Sequence, residues 1–117
     1  MANVDIHLEI LAKSMSLRLK RHSTLAGNVA NADTPGYRPQ QISFEDALQR
    51  AADRKSSVQI DNVKSSMEVV DDGQPRLDGN TVNLDKQMAM MAENGLLYNA
   101  TAEFIARKMR MLKSVIG

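Results

Sequence analysis

The chain has 117 residues, the size of one ordinary domain, with 43% hydrophobic residues, 25% charged residues and a net charge of +1. It holds no cysteine, which excludes a disulfide framework and a thiolate zinc site. A charge this close to zero also argues against a domain that grips nucleic acid by its phosphates.

The choice of apolar residues is unusual: no Trp, two Phe and two Tyr against eight Met. Aromatic rings supply much of the buried area in a compact core. Their scarcity fits either a small helical bundle or a set of helices that bury their apolar stripes against other chains. Composition leaves both open. The stretch from Val4 to Lys13 is interrupted by Asp5, His7 and Glu9, so no apolar core of a secretion signal is expected. The longest apolar run, Met88 to Ala92, is far short of the roughly 20 residues of a membrane span. We therefore expect a soluble protein that leaves the cytoplasm, if at all, without a cleaved signal.

In chain order, Val4, Leu8, Leu11, Met15, Leu19, Ala26 and Val29 fall mostly three or four apart and predict a helix over 4–32. Acidic Asp5 and Glu9 open it and basic Lys13, Arg18, Lys20 and Arg21 follow, as the helix dipole favours. Glu9 and Lys13 form an i,i+4 pair in the better orientation. The helix must stop at "NVANADTPGYR", residues 28–38. Thr34 precedes proline and is pushed out of the α region. Pro35 and Gly36 suit the second and third positions of a type II turn. Asn31 and Asp33 can bond backbone groups freed at the helix end.

Ser43 and Asp46 have the spacing of a capping box, and Phe44, Ala47, Leu48 and Ala51 line a short apolar face, predicting a helix over 44–55 with an Asp46–Arg50 pair. Residues 56–80 carry no helical stripe, contain the turn signals "DDGQP" and "LDGN", and read as an extended or β-like excursion. The final segment repeats every 3.5 residues: Leu84, Met88, Met91, Gly95, Tyr98, Ala102, Ile105, Met109, Leu112 and Ile116. Gly95 is the one non-apolar member. It lowers helix propensity by about 1 kcal/mol against Ala, so this helix is expected to depend on packing partners. Gly95 and Ala102 together would admit a neighbouring helix closely. The expected fold is all-α dominated, with two long terminal helices paired as an antiparallel coiled coil. Residues 1–37 and 81–117 form that core, with a small central segment over 38–80.

No catalytic constellation is visible. His7 and His22 lie roughly 22 Å apart along one helix and cannot share a metal. No nucleophile elbow, zincin motif or phosphate loop occurs, and the Asp-Gly turns fail the calcium-loop spacing. An enzyme and a cofactor are not expected. The basic clusters Arg18–His22 and Arg107–Lys113 are more simply solvated helix faces than a nucleic-acid site.

The order Asn28-x-Ala30-Asn31-x-x-Thr34-Pro35-Gly36-Tyr37 resembles the signature near the N-terminus of the bacterial flagellar axial proteins of rod and hook. Residues 77–117 are similar to the C-terminal region of proximal rod members of that family, and the likeness covers 5–48 and 77–117. It implies a structural subunit of the basal-body rod, the hollow shaft that crosses the periplasm and carries torque. Terminal helices would stack into a tube, after export by the flagellar type III apparatus without loss of a signal peptide. Implied partners are further copies, the rod proteins FlgC and FlgF, the junction protein FliE and the export gate, with no nucleic acid and no direct membrane span. On this reading Asn28, Asn31, Asp33, Thr34, Pro35, Gly36 and Tyr37 are expected to form an inter-subunit junction. The Met-rich seam, with Leu8, Leu11, Met15, Leu19 and Val29 opposite, suits packing against non-identical neighbours or ordinary core filling. A self-contained helical adaptor is the alternative reading.

Overall fold

The structure, a computed structural model, describes residues 5–71 and 73–116. Val4, part of the expected first stripe, lies outside them, as does Asp72 of the acidic stretch. Helix α1 runs Ile6–Ala30, strand β1 Gln40–Ser43, helix α2 Glu45–Asp53, helix α3 Ser57–Asp61, strand β2 Ser66–Val69 and helix α4 Leu84–Ile116. Helix accounts for 65% of the described residues, and the two long terminal helices pack on each other.

α1 begins where Asp5, in an extended conformation, accepts a hydrogen bond from the His7 amide at 2.9 Å. This satisfies one of the free amides that every helix start carries. Asp5 also receives Lys108 at 3.0 Å, so the cap ties α1 to α4. Asn28 against Gln87, Arg18 against Asn94 and Asp5 against Lys108 give the helix pair its antiparallel register. α4 has 33 residues and α1 has 25, roughly 50 Å against 38 Å. From about Met109 onward, α4 therefore extends past the described start of α1.

The middle of the chain differs from expectation in three places. Ser43 does not cap α2, because it closes β1 in register with Ser66 of the antiparallel partner β2. Phe44 takes the cap position without a side-chain bond, and its amide instead donates to the Glu45 carboxylate at 3.3 Å. Part of the predicted extended stretch is helix α3, started by Ser56, whose hydroxyl accepts from the Gln59 amide at 3.3 Å. Lys55, with φ 51°, makes the reversal between α2 and α3. Five residues are too few to display a stripe, which is why periodicity missed α3.

Those short elements hold the apolar core. Leu17, Ile42, Phe44, Leu48, Ala51, Ile60 and Val63 form one buried cluster, with Ile6, Ile10 and Ala47 packed against it. The core thus lies between one face of α1 and the central segment rather than along the α1–α4 seam. Glu9 and Lys13 also serve this contact: Glu9 accepts from the Ser57 hydroxyl at 2.5 Å, and Lys13 donates to the Asp61 carbonyl at 2.9 Å.

Candidate assembly surface and its polar clasp

Where α1 ends, the chain is held by a network of amides. Asn28 is fully buried and occupies both ends of its side chain. Its Nδ2 donates to the Gln40 carbonyl at 2.7 Å and to Gln87 Oε1 at 2.9 Å. Its Oδ1 accepts from the Tyr37 hydroxyl at 2.8 Å and the Gln40 amide at 2.9 Å. One side chain therefore joins α1, the turn, β1 and α4. Burial raises the pKa of Tyr37 above its ordinary value. Asn31 closes the helix end by donating to the Gly27 carbonyl at 2.8 Å and accepting from Thr34 at 3.0 Å.

The turn itself is built as its residues suggest: the Tyr37 amide donates to the Thr34 carbonyl at 3.2 Å, and Gly36 has φ +74°. A second turn docks on it. Gly79 has φ +81°, a left-handed conformation that favours glycine, and its turn lies in van der Waals reach of Gly36. The Gly36 amide donates to the Asp78 carbonyl at 2.8 Å. Asn80, fully buried, donates to the Asn31 and Thr34 carbonyls at 2.9 and 2.7 Å. Arg76 reaches the Ala32 carbonyl. Asp33, Thr34, Pro35 and Gly36 remain exposed at the tip, while Asn28, Asn31 and Tyr37 are engaged within the chain.

Sequence reasoning passed over the other half of this clasp. "LDGN" was legible as a turn, but nothing in its spacing told that Asn80 would face the end of α1. Gln87 and Asn94 were equally hidden: they lie between the seam positions and are the buried residues of α4.

Along α4, Met91, Gly95, Tyr98, Ala102 and Ile105 are half-buried, whereas Leu84, Met88, Met109, Leu112 and Ile116 are exposed. Leu8, Leu11, Met15 and Val29 of α1 are half-buried and Leu19 is exposed. A stripe of period 3.5 drifts by about 20° per heptad around an ideal helix of 3.6 residues per turn, so one partner covers part of it. Leu96, Phe104, Met111 and Val115 add to the uncovered apolar surface, with exposures of 71, 57, 65 and 85%. Toward the open end, His7, Ile10, Leu11, Phe104, Lys108 and Met111 line a groove of about 480 Å³.

The charged flank is ordered as well. Arg21 pairs with Glu45 at 2.6 Å and its guanidinium sits 4.2 Å from the centre of the Phe44 ring. The hydrogen bond from Arg21 lowers the Glu45 pKa to about 2. Among the described residues no cluster of His, Cys, Asp or Glu can hold a metal, and no helix is long and apolar enough to cross a membrane.

A helix pair locked at one end by amides, with exposed apolar side chains along the rest and no catalytic or metal cluster among the described residues, has the features of a structural subunit. The family described as "Flagella basal body rod protein" matches residues 8–38. The chain is 31% identical to the flagellar basal body rod protein FlgB of Salmonella typhimurium over 130 aligned positions, covering 97% of this chain and 94% of that one. It is 29% identical to FlgB of Escherichia coli K12, with 97% and 94% covered, and 27% identical to FlgB of Bacillus subtilis, with 93% and 92% covered. The chain belongs to the FlgB family of flagellar basal body rod proteins. It is a structural rod component rather than an enzyme, which favours the rod reading over the adaptor and nucleic-acid readings.

Proposed function

We propose that this subunit polymerises through its terminal helices into the hollow shaft that transmits torque from motor to hook. Further copies, FlgC, FlgF, FliE and the export gate are its proposed neighbours. Its proposed place is the periplasmic part of the rod, reached through flagellar export without a cleaved signal. Residues 1–37 and 81–117 serve as the assembly core, and 38–80 braces α1 through the shared apolar cluster. The exposed tip Asp33–Gly36 offers the junction to neighbours, while Asn28, Asn31 and Tyr37 set its shape.

The observation that carries this reading is the uncovered apolar stripe of α4 running past the described start of α1. An isolated helix needs a packed apolar face to be stable in water. Amide exchange compared between purified monomer and isolated rods tests it. Residues 103–116 are expected to exchange quickly in the monomer and slowly in the rod. Equal protection in both states would remove the support for assembly through this helix.

A further inference from the structure

Gly95 sits in the interior of α4, where glycine weakens a helix. Among the described residues, nothing outside the helix's own backbone comes within 4 Å of the Cβ it lacks, so no packing among them calls for a glycine. The space above it is a notch of about 250 Å³ between α1 and α4, bordered by Arg18, Leu19, His22, Tyr98 and Asn99.

The notch has a distinct charge. Arg18 donates through Nη1 to Asn94 Oδ1 at 3.3 Å and so is held at the edge of the notch. The nearby carboxylates lie elsewhere. Glu45 is bound by Arg21, and Glu45 and Glu93, which act electrostatically on Arg18, line a separate cleft that Arg18 also borders. Among the described residues, no acidic one borders the notch itself. Arg18 is a cation on the border of the notch, and a carboxylate is the acceptor that best matches a guanidinium.

We propose that the Gly95 notch receives a carboxylate-bearing side chain from a helix of a neighbouring rod subunit. The absent Cβ lets the helix approach, and the Arg18 guanidinium draws its acidic residue in. This rests on the rod-subunit reading above and adds a specific contact to it.

The test uses a strain lacking this chain, complemented with the wild type, Gly95→Ala or Gly95→Leu, alongside thermal unfolding of each purified protein. Both variants are expected to unfold at the same temperature as the wild type or higher. Rod incorporation and swimming are expected to fall several-fold for Gly95→Ala and to be lost for Gly95→Leu. Normal swimming with Gly95→Leu overturns the notch and leaves the rod reading standing. Lower unfolding temperatures in both variants also overturn it, since the chain itself would then need the glycine. If the wild type fails to restore swimming, the rod reading is what fails. A photo-crosslinker at Asn99 supplies an independent readout. Capture of an Asp- or Glu-bearing helix of a rod subunit supports the contact, and rods without any product at this position overturn it.

Discussion

Asn28 accounts for four hydrogen bonds, and no other residue type of its size both donates twice and accepts twice. Asn28→Ala removes the partner of the Tyr37 hydroxyl and of the Gln40 amide and carbonyl in a part-buried site, and each orphaned group costs about 1–3 kcal/mol. Chemical denaturation should register a loss of about 3 kcal/mol or more. Gly36 presents a different case, because nothing lies within 4 Å of its missing Cβ and its φ is +74°. Gly36→Ala therefore suffers backbone strain alone, about 1–2 kcal/mol. Gly36→Val adds a β-branch, and we expect it to block motility by misdirecting the exposed tip. Full swimming by that mutant would argue against a junction role. Glu45 makes a pH prediction. Its folded pKa, about 2, is depressed below the model-peptide value of 4.5, so its contribution to stability is present above pH 4.5 and is lost as pH falls toward 2. Its side chain is 54% exposed, so solvent screening keeps the effect small. Denaturation midpoints of Glu45→Gln should lie below the wild type at pH 7 and converge with it near pH 2.

Among the elements, α1 serves two neighbours and α4 mainly one. The face of α1 carrying Leu17 joins the central segment in the apolar cluster, and the adjoining face meets α4 through polar ties at Asn28, Arg18 and Asp5. Phe44 links these systems, being buried in the cluster and lying beneath Arg21 and Arg18 at 4.2 and 5.6 Å. Phe44→Ala removes both the packing and the cation–π contacts, and we expect a loss of about 3–5 kcal/mol in equilibrium unfolding. The long helices were legible because each sustains its apolar period over many turns. β1, β2 and α3 are four, four and five residues long, too short for periodicity to separate them from loop. Ser43 illustrates the competition: its spacing to Asp46 favours a cap, but pairing with Ser66 fixes its backbone in the strand.

Taken whole, the molecule extends 63 × 25 × 15 Å, with the amide clasp near one end and the projecting turns of α4 at the other. The clasp joins segments far apart in sequence, so its end is held by folding alone. At the opposite end the apolar side chains of Met109, Met111, Leu112, Val115 and Ile116 are exposed. Deleting residues 109–116 should change monomer stability by no more than about 0.5 kcal/mol, the range typical of surface changes. The same deletion should prevent incorporation into rods, scored by the protein content of isolated basal bodies. By itself the sequence determined the two terminal helices, the turn at Pro35–Gly36 and the family, because each rests on local backbone preference or on a short ordered motif. Only the tertiary structure decided where the core lies, which amides form the clasp and how much of the α4 seam stays uncovered. Those outcomes depend on which helix face meets which neighbour, and a stripe repeating every 3.5 residues does not say which of its turns a single partner reaches.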